Sequence, residues 1–397
     1  MTEKNYVNYH ILISHSPSNL NRDDMNMQKT AIFGGTKRTR ISSQSLKRAM
    51  RHSDYYKNNI SQPSDRTKQL GKVTTKYVEV LQDKYEESLI KSVMSLISGE
   101  SEIKENTQSG AVATWAVSEV EQYCKLYKQL QEQYPEPKEF DKAWKNATDK
   151  KKLLDDKTKL SLFREALQNG KDIALSGRMA TSGIMTTVDA SLAVAHAITT
   201  HTVDTEIDWF TAVDDLNQET GETGSAHLDT TEFSSGVFYR YASLNLRQLQ
   251  DNLGNASREQ SLSIAAHVLH LLATVVPSAK QNSFAAFNYA DFALVSLSDQ
   301  PVSLANAFEN PVKPKANGLM IPSIEALSNY HKAIYTAYGL KNDKQALFST
   351  KECSFENIEN EYSDFSTLKK WLKKEYYDYV TELPLDISIE LNDNYTL

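Results

Sequence analysis

The chain has few cysteines and lacks the signatures of several common protein classes. Its 397 residues include only two cysteines, Cys124 and Cys353, which lie far apart and form no CxxC or Cys/His spacing. The sequence therefore predicts neither a disulfide framework nor a structural zinc site. The first apolar stretch, residues 6–13, is too short and too interrupted for a secretory signal, and no run is long enough to span a bilayer. We expect a cytoplasmic protein with no membrane partner.

Motifs for metal and nucleotide chemistry are also missing. The histidine pairs His196/His201 and His267/His270 form no HExxH motif and have no third ligand nearby in sequence. Residues 177–183 have a Gly-x5-Gly spacing, but they lack the lysine and the serine or threonine of a phosphate-binding loop. We therefore expect no cofactor, no metal and no nucleotide hydrolysis.

Charge is distributed very unevenly along the chain. The formal net charge is -7, which by itself argues against nucleic acid as a partner. The segment from Lys29 to Arg51, however, contains no Asp or Glu, whereas the segment from His201 to Glu232 contains no Lys or Arg and nine acids. A concentrated basic segment is a candidate surface for nucleic acid despite the acidic total. Its cationic residues are Lys29, Lys37, Arg38, Arg40, Lys47, Arg48 and Arg51.

Hydrophobic periodicity predicts an α+β fold. An alternating pattern at residues 7–14 predicts a half-buried first strand, and residues 42–45 supply capping groups for a helix in which Leu46 and Met50 share one face. Residues 65–170 are predicted to be a mostly helical insertion. The later elements are a strand-like run at 172–176, an alternating strand at 237–241, a helix after the capping box of Ser257 and Gln260, and a closing strand at 292–297.

Without the insertions, the order of elements is strand, helix, strand, strand, helix, strand. This is the split βαβ arrangement of ferredoxin-like and RNA-recognition folds. A fold by itself does not determine a function, so the function has to be argued from particular residues.

Several segments of the sequence carry a family resemblance. They are residues 13–29, 31–35, 40–49, 172–183, 208–215, 233–240 and 279–281. Together they closely resemble CasC, the backbone subunit family of the type I-E CRISPR-Cascade complex. The resemblance implies an RNA-recognition-motif-like palm, a large helical insertion as fingers and a thumb-like hairpin. It also implies a non-enzymatic protein of antiviral defence that polymerises along the guide crRNA and displaces nucleotides at regular intervals.

The resemblance further implies a division of the chain into regions and a set of partners. The partners are guide crRNA, further copies of the chain in a head-to-tail array, other Cascade subunits, and target DNA by way of the guide. The regions are the first part of the palm with the basic segment (1–64), the fingers (65–170), more palm (171–200), the thumb hairpin (201–232), the second part of the palm (233–340) and a peripheral C-terminal helical segment and tail (341–397).

The residues that the resemblance assigns to RNA match a physical argument. A guide varies in sequence, so its holder has to bind phosphates and sugars rather than base edges. Glycines allow close backbone approach, and a serine-rich helix start followed by basic side chains suits phosphate. The expected RNA-binding residues are Asn21, Arg22, Lys29, Gly34, Gly35, Lys37, Arg38, Arg40, Ser42, Gln44, Ser45, Lys47, Arg48, Arg51, Arg178, Met179, Lys280 and Gln281. The expected wedge residues of the thumb are Phe210, Thr211 and Leu228.

Other interpretations remain open at this point. A run of basic residues is commonly a solvated face, and Trp209, Phe210 and Met179 would ordinarily belong to a core. Asp23 and Asp24 form a carboxylate pair that would suit a metal-dependent ribonuclease of a related CRISPR backbone type. Incubation with complementary RNA and magnesium distinguishes the two, because a binding protein leaves the strand intact. A stand-alone RNA-binding protein would instead remain a monomer on RNA.

Overall fold

The structure is a computed structural model of the chain. It describes residues 4–149, 170–179, 184–185, 187–212, 227–340, 343–356, 358 and 360–381, with the backbone alone at 210–212, 227–229 and 375–381.

Groups of strands and groups of helices follow one another along the described chain. The strands are β1 (Tyr6–Ser18), β2 (Thr30–Phe33), β3 (Thr36–Ile41), β4 (Asp65–Thr67), β5 (Ala113–Trp115), β6 (Leu192–Val194), β7 (Ala197–Thr199), β8 (Glu206–Ala212), β9 (His227–Asn245), β10 (Phe292–Ser298), β11 (Lys344–Ser349) and β12 (Asn360–Tyr362). The α-helices are α1 (Ser43–His52), α2 (Asp54–Asn59), α3 (Leu70–Leu81), α4 (Glu87–Ser98), α5 (Val117–Gln133), α6 (Pro137–Ala147), α7 (Lys171–Ser176), α8 (Leu246–Asn252), α9 (Arg258–Thr274), α10 (Gln281–Phe284), α11 (Met320–Ala337) and α12 (Phe365–Thr381).

One large sheet organises most of these elements. Its strand order is β12-β11-β10-β1-β9-β7-β3-β2, with β6 and β8 also paired to β9. The central four strands, β10-β1-β9-β7, are antiparallel throughout. Their connections through α1 and α9 give the strand, helix, strand, strand, helix, strand order of the ferredoxin-like arrangement. The predicted α+β, RNA-recognition-motif-like fold class is confirmed.

Strand β1 is buried on both of its faces rather than one. Tyr9 on the first face donates a hydrogen bond from its hydroxyl to the Ala265 carbonyl (3.0 Å) in α9. On the second face, His10 and Leu12 lie under the layer that contains Phe308 and α11. The expectation of a half-buried strand was therefore wrong, because polar residues at alternate positions are covered by a second layer and bonded inside it.

The strand-like run at 172–176 is the helix α7. Apolar runs of this length do not distinguish a buried strand from a buried helical turn by periodicity. The helix ends at Gly177, whose φ of +75° and close approach to the backbone of Val188 and Ala190 favour glycine. The expectation of a strand there was wrong.

Residues 65–147 form a helical unit with its own core. Helices α3 to α6 and the two-stranded β4–β5 sheet surround buried side chains that include Trp115 and Tyr77. Asp172 of α7 connects α7 to α1 and to the segment that leads into this unit, because its carboxylate accepts hydrogen bonds from the backbone and hydroxyl of Ser64 (3.1 and 2.7 Å) and lies 3.4 Å from the Arg51 guanidinium. The region bounds expected from the sequence stay predictions.

The C-terminal region contributes to the sheet and its core. Strand β11 extends the sheet beyond β10, and β12 pairs with β11 in parallel. Helix α12 buries Leu368 and Leu372 in the same core as α9. Among the described residues, no helix has the length and apolar character needed to cross a membrane.

The buried histidines of β1 predict a pH dependence of stability. Burial lowers the pKa of His10 to about 3, and His15 is lowered similarly. A histidine in the unfolded chain has a pKa of about 6.5, so below that pH the unfolded chain binds protons that the folded chain does not. Stability is therefore fully present above about pH 6.5 and is lost toward about pH 3, by about 1.4 kcal/mol per pH unit for each such histidine.

We expect a His10→Phe variant to show a smaller loss of stability between pH 7 and pH 5 than the parent protein. Urea unfolding at pH 7, 6 and 5 measures the difference. The same loss in both proteins would contradict the assignment of His10 as a buried neutral histidine.

Candidate nucleic-acid interface

The basic segment folds into one continuous stretch of structure, the β2–β3 hairpin followed by α1. The hairpin turns at Gly34 and Gly35, with φ values of +57° and +73°. Two consecutive residues with positive φ are typical of the two-residue turns that match the twist of a hairpin, and they favour glycine. A Cβ at Gly34 would lie 1.7 Å from the Glu309 carbonyl oxygen, whereas a Cβ at Gly35 would meet nothing within 4 Å.

The two glycines therefore have different roles. Gly34 is required by packing against the protein itself, and Gly35 is the position where an outside group can approach the backbone. From the sequence, we predict that both glycines allow a phosphate to approach the backbone. That interpretation stays a prediction, and only Gly35 has open space for it.

Arg38 is buried and holds the hairpin on the sheet. Its guanidinium donates hydrogen bonds to the carbonyl oxygens of Thr199 (3.1 Å) and Phe308 (2.9 Å), and its Nε donates to Thr36 Oγ1 (2.9 Å). Burial lowers its pKa. A direct contact of Arg38 with an outside ligand would require these bonds to break.

The other cations of the basic segment keep solvent access. Lys37 and Arg48 are exposed, and Lys29, Arg40, Lys47 and Arg51 are half-buried. Lys47 lies along the sheet with its ammonium 3.5 Å from the Leu192 carbonyl oxygen, and burial lowers its pKa. The segment thus presents positive charge on the hairpin and on the solvent side of α1.

Helix α1 has the two faces that the sequence predicts. Leu46 and Met50 are buried in the main core. The opposite face carries Arg48, and the exposed Gln44 lies one turn before it. The face that carries charge is therefore free of packing constraints.

The first backbone amides of α1 are occupied by protein groups. Ser45 N–H donates to Ser42 Oγ (3.2 Å), Ser43 N–H donates to His196 Nδ1 (2.9 Å) and Ser42 N–H donates to Asn21 Oδ1 (2.8 Å). These bonds satisfy donors that an isolated helix end would offer to an anion. These three N–H groups are therefore already bonded within the protein.

A cationic cavity lies beside the end of α1. Arg48, Arg51 and His52 line an open cavity of about 810 Å³ between α1 and the helical unit. The pKa of His52 is lowered by burial and by the neighbouring charges of Arg51 and Arg48, which indicates a positive local field. Lys171, Arg66, Lys76 and Asp65 also line the cavity.

The loop between β1 and β2 is organised by its own side chains. Asp23 Oδ1 accepts the backbone N–H groups of Met25 (2.9 Å) and Met27 (3.0 Å). Arg22 is exposed and donates to Asn26 Oδ1 (2.8 Å). Asp24 is exposed. The Asp23 carboxylate is thus part of the turn that presents Arg22.

Glu232 connects this loop to the base of the β8–β9 hairpin. Its side chain is buried, accepts the Gln28 N–H (2.7 Å) and accepts the Thr205 hydroxyl. The Glu232 carbonyl accepts a hydrogen bond from Asn19 Nδ2 (2.8 Å). We call these four residues, Asn19, Gln28, Thr205 and Glu232, the Glu232 clamp. The acidic segment is therefore not wholly solvated, since one of its acids has a structural role.

The residues expected to form the wedge lie in the β8–β9 hairpin. Phe210 is paired with Asp229, and Thr211 is paired with Leu228. The side chains of Phe210, Thr211 and Leu228 lie outside the described part of the structure, so the wedge stays a prediction. Trp209, the neighbour of Phe210, is 66% exposed.

Arg178 is buried and Met179 is exposed beside it. The Arg178 guanidinium forms a two-point ion pair with Glu119 of α5, with Nη2 to Oε1 at 2.8 Å. The backbones of Arg178 and Val188 bond to each other in both directions (2.8 Å). Met179 is 83% exposed. Arg178 therefore fixes the chain that presents Met179. A strand of RNA at this surface would reach the exposed Met179 side chain before the buried Arg178 guanidinium.

Lys280 and Gln281 start the short helix α10. Lys280 has a φ of +52° and is half-buried. Gln281 is buried and donates from Nε2 to the Pro277 carbonyl (3.1 Å). The structure thus places Lys280 at the surface, while Gln281 supports the loop.

Sequence reasoning missed the residues whose partners lie far along the chain. Glu232 contacts residues 28 and 205, Glu119 pairs with Arg178, and Asp172 holds Arg51 and Ser64. No local pattern marks such residues. Within the described ranges, no group of three or more His, Cys, Asp or Glu is placed to hold a metal ion.

The arrangement defines a class of protein, an α+β protein with a ferredoxin-like sheet, a helical insertion and a basic hairpin-and-helix surface. The chain belongs to the family of CT1975-like proteins, whose model matches residues 7–374. The recognition made from the sequence is confirmed at the level of family and fold. A comparison with curated proteins gave no match.

Two solved structures show the same fold. A chain from a "CRISPR RNA-guided surveillance complex, pre-nicking" is 26% identical, with a TM-score of 0.72 over 93% of this chain and 99% of that chain. A chain from a "CRISPR RNA-guided surveillance complex" is 23% identical, with a TM-score of 0.57 over 94% of this chain and 99% of that chain. The second likeness concerns the fold alone.

The Glu232 clamp predicts a local effect of one substitution. In a Glu232→Ala variant both carboxylate oxygens are lost, so the buried Gln28 N–H loses its acceptor at a cost of about 1–3 kcal/mol. We expect faster hydrogen exchange at the Gln28 amide, measured by NMR or mass spectrometry. Glu206→Ala, on the exposed side of the same hairpin, is the matched control. Unchanged protection of Gln28 in the Glu232→Ala variant would contradict the clamp.

Proposed function

We propose that the protein is an RNA-binding backbone subunit of a type I-E CRISPR RNA-guided surveillance complex. The observation that carries the proposal is the continuous cationic surface on β2, β3 and α1, found in a chain whose fold matches a subunit of such a complex over almost its whole length. Three of its cations, Lys37 and Arg40 of β3 and Arg48 of α1, reach solvent.

The surface suits a ligand that carries regular negative charge and a variable sequence. Lysine and arginine side chains bind phosphates without reading bases, so they hold any guide equally well. The N–H groups of Ser42, Ser43 and Ser45 are bonded within the protein, which favours side chains for this task. The buried Arg38 anchors the hairpin while its neighbours stay available to the guide.

The chain is further proposed to polymerise along the guide. Its basic hairpin and its acidic β8–β9 hairpin are different surfaces, and contacts between unlike surfaces extend into open arrays when the rotation does not close. Guide length would then set the number of copies. The wedge residues Phe210, Thr211 and Leu228, with Met179, would displace nucleotides at intervals, so that the segments between them pair with target DNA.

The proposed role is non-catalytic. The Asp23 carboxylate accepts two backbone N–H groups of its own turn, which favours a structural role for this residue over magnesium binding. Other subunits of the complex are the expected partners, and antiviral defence in the cytoplasm is the expected setting.

A salt titration tests the proposed phosphate contacts. We expect Lys37→Ala and Arg48→Ala each to reduce the slope of log binding constant against log salt by about 0.7, the value for one lost phosphate contact on a single strand. The loss should be the same for guides of unrelated sequence. Filter binding or fluorescence anisotropy at several salt concentrations measures the slope.

Lys332→Ala is the control, because Lys332 lies on α11 with its ammonium 2.6 Å from Glu356. If both test variants keep the slope of the parent protein, the basic hairpin and α1 do not contact the guide phosphates.

A further inference from the structure

Two large aromatic side chains are exposed on a loop that sequence analysis did not single out. Phe287 is 70% exposed and Tyr289 is 73% exposed. Between them, Asn288 points inward, and the flanking Ala286 and Ala290 are buried. This alternation places both rings on the outer side of the loop. Large exposed apolar groups that lie close together typically mark an interaction site.

The loop is held firmly, so the exposure of the rings is built into the fold. Asn288 Oδ1 accepts the Ser16 N–H (3.3 Å) and lies 3.4 Å from His15 Nδ1. Ala290 N–H donates to the Ala273 carbonyl (2.8 Å), which ties the end of the loop to α9. At its start, Ala285 has a φ of +47°, a conformation that costs energy for a residue other than glycine and that surrounding structure has to maintain.

The loop lies near the end of β1, from which the chain leads into the basic segment. The loop leads into β10, which pairs with β1, and it lies against residues 15–16 near the end of β1. Phe284 of α10 packs on Phe233 of β9, with ring centroids 5.7 Å apart. The loop between β1 and β2, the base of the β8–β9 hairpin and the aromatic pair are therefore all at the same end of the large sheet.

We propose that Phe287 and Tyr289 form a stacking platform for the bases of single-stranded RNA held by the basic segment. The inference rests on the proposed function, to which it adds a second mode of contact. Aromatic rings that lie beside cationic side chains are typical of sites that bind single strands, since every base has a face that can stack. Lys280, which precedes α10 at the surface of the same loop region, supplies a cation on this side.

The platform gives the protein a means of holding bases without reading sequence. Phosphate contacts fix the path of a strand but leave its bases free to rotate. Rings at a fixed position would order the bases that pass them and keep those bases stacked, whatever their identity. A protein surface as the partner is the alternative, and it makes a different prediction about RNA.

The test uses the full chain and an RNA too short to hold two copies, with 2-aminopurine placed at each position in turn. We expect one or two positions to be quenched in the parent protein and to brighten in Phe287→Leu and Tyr289→Leu. The RNA affinity should fall about tenfold per ring, as expected for the loss of one stacked base. Tyr289→Phe keeps the ring and should retain both the affinity and the quenching. Tyr338→Leu is the matched control, because Tyr338 is also 73% exposed but lies at the end of α11.

An abasic nucleotide at the quenched position sharpens the test. It should weaken binding to the parent protein and have no further effect in the leucine variant that lacks the ring stacked at that position, because that stacking contact is already lost. Unchanged affinity and fluorescence in both leucine variants, with RNA bound by the parent protein, would overturn the platform alone. Normal binding of short RNA together with fewer copies on long guides would assign the rings to a contact between copies and would also overturn it. Failure of the parent protein to bind RNA would overturn the proposed function as well.

Discussion

The buried guanidinium of Arg38 is the interaction on which the basic surface depends. The β2–β3 hairpin contains several cations and no Asp or Glu, so it has no acid of its own that could bind the rest of the protein. Arg38 attaches it by donating to the carbonyl oxygens of Thr199 and Phe308. Removing a buried donor of this kind typically costs about 1–3 kcal/mol for each acceptor left unsatisfied. Because carbonyls rather than carboxylates accept its hydrogen bonds, the surface is anchored without losing net positive charge.

Around the loop before β2, a buried acid likewise leaves the nearby lysine and arginine side chains unpaired by it. Glu232 is buried at the base of the β8–β9 hairpin, and it bonds the Gln28 backbone rather than a lysine or arginine. Asp172 is the exception, since it holds Arg51 while also bonding Ser64. Both acids lie where two parts of the chain meet, and each fixes the orientation of one part relative to the other. Helix α1 and the hairpin are thus positioned by buried polar contacts, while Lys37 and Arg48 are left exposed.

The parts of the fold with a clear local pattern could be predicted from the sequence. The strand β1 itself, the capping box of Ser257 and Gln260, and the two faces of α1 are each determined by neighbours along the chain, and all three are present. The helical state of residues 171–176 and the second layer over His10 depend on distant elements, so local periodicity did not reveal them. The basic segment was evident from composition, whereas the burial of Arg38 within it depends on residues far along the chain. The exposed pair Phe287 and Tyr289 gives no periodic signal in the sequence. Their exposure is determined by the tertiary structure, which covers their neighbours and leaves these two rings uncovered.

The central claim is that the chain assembles on guide RNA in numbers set by the length of the guide. Native mass spectrometry of the purified protein with guides of several lengths, before and after ribonuclease treatment, tests it most directly. The account predicts that the number of copies rises in steps as the guide is lengthened and that the assembly falls apart when the RNA is digested. A complex of fixed size on every guide, or one that survives digestion of its RNA unchanged, would contradict it.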